Sequence, residues 1–65
     1  MKYLEEHELE IDRWYLCENY DGIYEVLKFI QGNLFQDSQG GVTDFTYIRF
    51  VIAEISELIK LFQNL

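Results

Sequence analysis

Asp44-Phe45-Thr46-Tyr47-Ile48-Arg49-Phe50-Val51-Ile52-Ala53-Glu54-Ile55-Ser56-Glu57-Leu58-Ile59-Lys60-Leu61-Phe62-Gln63-Asn64 carries Phe45, Ile48, Ile52, Ile55, Ile59 and Phe62 at alternating spacings of three and four. That period is the stripe of an amphipathic helix, and Thr43 or Asp44 supplies a residue able to cap its start. At about 100° per residue Tyr47, Val51, Leu58 and Leu65 fall beside the stripe, and Phe50 and Leu61 extend it further round. The apolar arc is wider than one packing partner requires, which predicts a second contact.

Working back from this stretch, Gln36-Asp37-Ser38-Gln39-Gly40-Gly41 is polar and ends on paired glycines, so 36–43 reads as a flexible loop. Before it, Ile23, Leu27, Ile30 and Leu34 recur at four, three and four residues and predict a second helix, which Gly32-Asn33 ends or weakens. Asn19-Tyr20-Asp21-Gly22 marks a further break. The opening segment offers Leu4, Ile11 and Tyr15, with acids in its first turns where a helix dipole favours them. The same segment alternates over Leu9–Arg13 and is rich in strand formers over Trp14-Tyr15-Leu16-Cys17, which keeps a short strand open as the alternative. The expectation is therefore an all-α fold, a single helical domain over 1–65 with helices at about 3–18, 21–35 and 44–64 arranged as a small bundle.

Sixty-five residues hold one hydrophobic core, and 49% hydrophobic with 17% aromatic content is enough to fold it. A core this small usually gains stability from disulfides, a metal or association. Cys17 is the only cysteine and His7 the only histidine, so no internal disulfide and no Cys/His zinc set can form. Association remains, and the wide apolar arc places a homodimer seam at Tyr47, Phe50, Leu61 and Leu65. Phe50-Val51-Ile52-Ala53 is far short of a membrane span, and Met1-Lys2-Tyr3-Leu4 leads into acids rather than an apolar leader. With one unpaired cysteine, the expected compartment is the cytoplasm.

The net charge is −7, and residues 1–25 carry −6 of it, with eight acids against Lys2 and Arg13. Binding to nucleic acid or to an anionic membrane runs on Lys and Arg, so this balance points away from both and towards a basic protein surface. Catalytic chemistry finds little support. His7 stands among Glu5, Glu6, Glu8 and Glu10, Ser38 and Ser56 lack motif context, Cys17 lacks a base, and Gly40-Gly41 lacks the lysine and strand–helix setting of a phosphate loop. Glu6 with Glu10, or His7 with Glu10, could share an ion one helical turn apart, but no facing segment offers further ligands. No enzyme, cofactor or metal is expected.

Recognition chemistry is better supplied. Glu5, Glu6, Glu8, Glu10 and Asp12, followed by Trp14 and Tyr15, read as a face that meets a basic partner, with carboxylates opposite Lys or Arg and aromatic bodies excluding water around them. In size and charge alone the chain is similar to phage-encoded inhibitors such as anti-CRISPR and DNA-mimic proteins, and to antitoxin and immunity proteins. That similarity implies a non-enzymatic module that occludes a nucleic-acid-handling surface. The alternative is a structural or regulatory protein that self-associates.

Overall fold

In the computed structural model, which describes residues 2–63, the backbone is mostly strand. β1 (Trp14–Asn19) alternates half-buried and buried residues, sending Tyr15, Cys17 and Asn19 inward. Such alternation with Trp, Tyr and Leu suits a strand with one covered face. β2 (Tyr24–Ile30) pairs with it antiparallel, Tyr15 opposite Leu27 and Cys17 opposite Glu25, and contributes Leu27 and Phe29 to the interior. β3 (Leu34–Gln36) and β4 (Val42–Asp44) continue the meander, and β5 (Ile48–Glu54) returns to pair with β1, giving the order β4-β3-β2-β1-β5.

That order forces curvature. In a flat sheet with strands about 4.8 Å apart, β4 and β5 would lie about 19 Å from each other. The chain from Asp44 to Ile48 spans at most about 14 Å even when extended. It is in fact a tight turn, with the Tyr47 and Ile48 amides donating to the carbonyls of Asp44 and Phe45. The sheet therefore curls until its two edges approach, a partly open barrel without a β4–β5 ladder. Phe45 packs in this corner, 4.9 Å from the Phe35 ring and 6.1 Å from that of Phe29, and the Phe29 and Phe35 rings are 5.5 Å apart. Around this trio lie Leu9, Tyr15, Cys17, Leu27, Ile48 and Val51.

The all-α expectation and its helical bundle are overturned by this sheet. Residues 3–18 hold a 3-10 turn, Glu6–Glu8, and most of β1, so the strand alternative holds over Trp14–Asn19 but not over Leu9–Arg13. Residues 21–35 hold β2 and the start of β3, and of 44–64 only α1 (Ser56–Gln63) is helical, Asn64 lying outside the described residues. The physical reason is clearest in β5. Leu16 faces Ala53 while Cys17 faces Val51, and Glu18 faces Phe50 while Asn19 faces Ile48, so Ile52 and Arg49 are extra residues at two irregularities of the ladder. Each such bulge breaks the alternation by one. Ile48 and Val51, three apart, thus both point inward, and a bent strand imitates a helical stripe.

The segment expected to be a flexible loop, 36–43, is the end of a β-hairpin: Gln36 belongs to β3, Val42 and Thr43 to β4, and 37–41 make the turn. The Asp37 carboxylate accepts the amides of Gln39 and Gly41, each at 2.8 Å. Helix α1 is tied to the barrel at its start, where the Ile55 amide donates to the Trp14 carbonyl and Ser56 Oγ accepts the Trp14 amide at 2.9 Å.

Candidate functional site

Ahead of β1, residues 4–12 run from the edge of β5 to β2. Leu4 donates its amide to the Val51 carbonyl at 2.8 Å, Leu9 is buried in the core, and the Asp12 amide donates to the Phe29 carbonyl at 2.7 Å. These apolar and backbone anchors leave the side chains of Glu5, Glu6, His7, Glu8, Glu10, Ile11 and Asp12 exposed. Within the 3-10 turn Glu8 folds its carboxylate back to accept the Glu5 amide at 2.7 Å, and His7 Nδ1 lies 3.5 Å from a Glu5 oxygen. Asp12 occupies a left-handed backbone conformation (φ 69°), one that Asp tolerates better than most residues and that redirects the chain into β1.

The five carboxylates expected to meet a partner are therefore brought to one exposed segment, though on a turn and an extended run rather than along a helix. Arg13 lies 3.7 Å from Glu10 and 3.3 Å from Glu54. The hydrogen bond to Glu54, then the charges of Glu10 and Glu54, raise the Arg13 pKa above its ordinary value. Arg13 thus offsets Glu10 and leaves Glu5, Glu6, Glu8 and Asp12 with weaker compensation.

The two aromatic members separate. Trp14 is half-buried on the outer face, with Lys28 Nζ 5.8 Å from its ring centroid, and it borders a cleft formed with Arg13, Ser56, Ile59 and Lys60. Tyr15, one residue on, points the other way and is 1% exposed. Its hydroxyl accepts the Glu10 amide at 2.8 Å, so it holds the acidic segment from beneath and does not share the exposed face expected of it. Ile11 is the residue that sequence reasoning missed there. Taken for a core position, it is 55% exposed beside a shallow groove that also has Glu6, His7, Leu9, Phe29 and Asn33 in its walls. The alternation Leu9-Glu10-Ile11 holds the signal, since it puts Leu9 and Ile11 on one side, but which of them goes under depends on the barrel.

The expected homodimer seam loses its single face. Tyr47 sits in the β4–β5 turn and its hydroxyl accepts Asn19 Nδ2 at 3.2 Å. Phe50, on β5, stacks on Tyr3 with centroids 4.1 Å apart and has the Arg49 guanidinium 4.9 Å from its ring. Leu61 is exposed on α1 beside Leu58 and Phe62, and Leu65 lies outside the described residues.

Cys17 is fully buried, and burial, with a smaller contribution from the charge of Glu25, pushes its thiol up to about 12. A thiol so placed stays protonated and unreactive at neutral pH. Among the described residues no group of three or more His, Cys, Asp or Glu side chains is placed to hold a metal ion, and no helix is long and apolar enough to cross a membrane. The geometry defines a class, a small acidic barrel-like β domain with a carboxylate-rich segment anchored between β5 and β2. No family model matches the sequence, no curated protein is similar to it, and no solved structure is similar to the fold.

Proposed function

We propose that the chain is a non-enzymatic protein-binding module, working in the cytoplasm, whose acidic N-terminal face covers a basic, nucleic-acid-handling surface of a partner protein. The observation that carries the reading is the clamping of Glu5, Glu6, Glu8, Glu10 and Asp12 over the barrel by Leu4, Leu9 and the Tyr15 hydroxyl. A fixed row of carboxylates costs little ordering entropy on binding and steers an oppositely charged surface from a distance. Ile11 and Trp14 supply the apolar contacts that exclude water around the ion pairs. Occupancy of this kind is how phage-type inhibitors such as anti-CRISPR and DNA-mimic proteins act.

Affinity capture from cell lysate at low and high salt, with the wild type and with a Glu6→Lys, Glu10→Lys, Asp12→Asn variant, tests it. Asn is used at position 12 because it also tolerates the left-handed backbone. A nucleic-acid-handling protein that is released by salt and missing from the variant supports the reading. Capture of the same proteins by both forms overturns it.

Self-association is the second reading, and its observation is on α1, where Leu58, Leu61 and Phe62 are 51%, 66% and 69% exposed. Pairing of two copies along this helix would cover them. Sedimentation equilibrium of the wild type and of Leu61→Glu decides it, since a wild-type monomer at all concentrations removes the reading.

A further inference from the structure

β3 is shorter than the strand it joins. β2 spans Tyr24–Ile30, but its ladder with β3 ends at Lys28 opposite Gln36. The direction of the remaining backbone groups follows from Phe29, whose amide donates to the Arg13 carbonyl and whose carbonyl accepts the Asp12 amide. Odd-numbered residues of β2 thus spend their backbone on the β1 side, and the even-numbered ones turn theirs towards β3. Lys28 and Ile30 find Gln36 and Leu34 there. Tyr24 and Val26 face the space beside the hairpin turn 37–41, and among the described residues no backbone hydrogen bond joins either of them to it.

The turn is held away from β2 by its own bonds. Asp37 donates its amide to the Gly41 carbonyl at 2.8 Å while its carboxylate takes the amides of Gln39 and Gly41. A Cβ on Gly41 would lie 2.6 Å from Asp37 Oδ2, so the glycine is what lets the carboxylate fold in this closely. Between the turn and β2 runs a cleft lined by Glu25, Val26, Leu27, Asp37, Ser38 and Gln39. Its walls hold two carboxylates and no base; Val26 in its wall is 40% exposed, and Tyr24, two residues back on β2, is 62% exposed.

The other edges are less open. β5 is broken by two bulges and touched by Leu4 at Val51, and β4 is three residues long and carries Asp44 at its end. Bulges and short strands are the usual protection of a sheet edge. The Tyr24–Leu27 edge has neither.

We infer that this edge docks an extended, basic segment of a partner protein, which adds as a short strand beside Tyr24–Leu27 and places a Lys or Arg side chain between Glu25 and Asp37. The inference rests on the reading above that the partner is a basic protein, and it adds where and in what conformation the partner's chain engages. Strand addition draws affinity from main-chain hydrogen bonds and specificity from alternate side chains. Here one set of alternate side chains meets Val26 and the other meets the two carboxylates. Tyr24 and Val26 offer their backbone groups on this side of β2, as Lys28 and Ile30 do towards β3.

The test uses the isotope-labelled full chain and two capped octapeptides, one alternating Lys with Val and one alternating Glu with Val, followed by amide NMR shifts and hydrogen exchange. In the free protein the Tyr24 and Val26 amides exchange fast while those of Leu27 and Phe29 are protected. The Lys peptide shifts and protects Tyr24 and Val26, the Glu peptide does not, and a Glu25→Gln, Asp37→Asn variant, which keeps the turn's accepting oxygen, weakens the effect. Protection of Val26 in the free protein, or Lys-peptide shifts confined to residues 5–12, overturns the inference. The Glu6→Lys, Glu10→Lys, Asp12→Asn variant separates the two proposals. Retained Lys-peptide shifts at Val26 in that variant support the edge site even where partner capture fails, and their loss shows that the peptide reads only the N-terminal charge.

Discussion

Asn19 offers the sharpest check on the fold, because a helix boundary and a barrel interior ask opposite things of it. At the end of a helix it would stand in water, and alanine there would change little. In the barrel it is 2% exposed and uses its whole amide: Oδ1 accepts the Asp21 amide at 2.9 Å and the Ile23 amide at 3.0 Å, while Nδ2 donates to the Tyr47 hydroxyl at 3.2 Å and to Glu25 Oε2 at 3.4 Å. Asn19→Ala strands two backbone donors of the β1–β2 turn and leaves a small void. At about 1 kcal/mol net for each well-formed bond, and more where a donor stays shielded, the loss comes to roughly 2–4 kcal/mol. A domain of this length has about 5 kcal/mol in all, so the urea midpoint should fall by about half or more. Trp14 fluorescence and far-ultraviolet circular dichroism at pH 7 follow the transition. Tyr47→Phe, which removes one donated bond at the half-exposed rim, should cost less than about 1 kcal/mol. An Asn19→Ala protein within about 0.5 kcal/mol of wild type would refute the buried-amide account of the β1–β2 turn.

Phe35→Ala, which empties the centre of the aromatic trio, should cost about 3–5 kcal/mol and leave the chain largely unfolded, whereas Leu61→Ala on the exposed side of α1 should stay within about 1 kcal/mol; thermal melts compare them. Cys17 should resist a thiol reagent at pH 8 until the protein unfolds. Its folded pKa of about 12 lies above the ordinary 9.0, so the folded state keeps the proton longer. Stability is therefore undiminished by this group below pH 9 and is lost as pH rises from there towards 12, which alkaline urea titrations of wild type and Cys17→Ala should resolve. Gly41→Ala should destabilise by about 1–3 kcal/mol through the clash with Asp37, and by clearly less in an Asp37→Ala background, a coupling that a double-mutant cycle measures.

The breaks in the chain were legible and the elements between them were not. Asn19-Tyr20-Asp21-Gly22, Gly32-Asn33 and Asp37–Gly41 all prove to be hairpin turns, with Gly22, Gly32, Asn33 and Gly40 at positive φ. Reading the first two as helix breaks and the third as a flexible loop placed the punctuation correctly and mistook what it separates. Tyr24, Val26, Phe29 and Ile30 are strand formers whose types spoke for β2, but Ile23, Leu27, Ile30 and Leu34 fell at helical spacings. With about half of the residues apolar, almost any period finds matches, and Ile30 and Leu34 turn out to pair across the outer face of the sheet. The stripe from Phe45 to Phe62 joins a twice-bulged strand to a real helix, and no local pattern marks the seam at Ile55. The acidic surface depended less on the fold. The carboxylates of Glu5, Glu6, Glu8, Glu10 and Asp12 are exposed in either architecture, whereas separating Tyr15 from Trp14 required knowing that the segment alternates with period two.

The pairing of β5 with β1 also governs how the chain must be made. β1 meets β2 within a few residues, but its other neighbour runs from Ile48 to Glu54, far downstream of Asn19 where β1 ends. During synthesis at about 5–20 residues per second, the far edge of β1 stays unpaired for a few seconds after it emerges. Trp14-Tyr15-Leu16-Cys17 is uncharged and strand-prone, the kind of segment by which nascent chains on neighbouring ribosomes stick together. The residues that leave the ribosome just ahead of it are Glu5, Glu6, Glu8, Glu10 and Asp12. Whatever they meet in the finished protein, they put a repulsive stretch on the growing chain before its vulnerable strand appears, and neutralising them should lower the soluble yield.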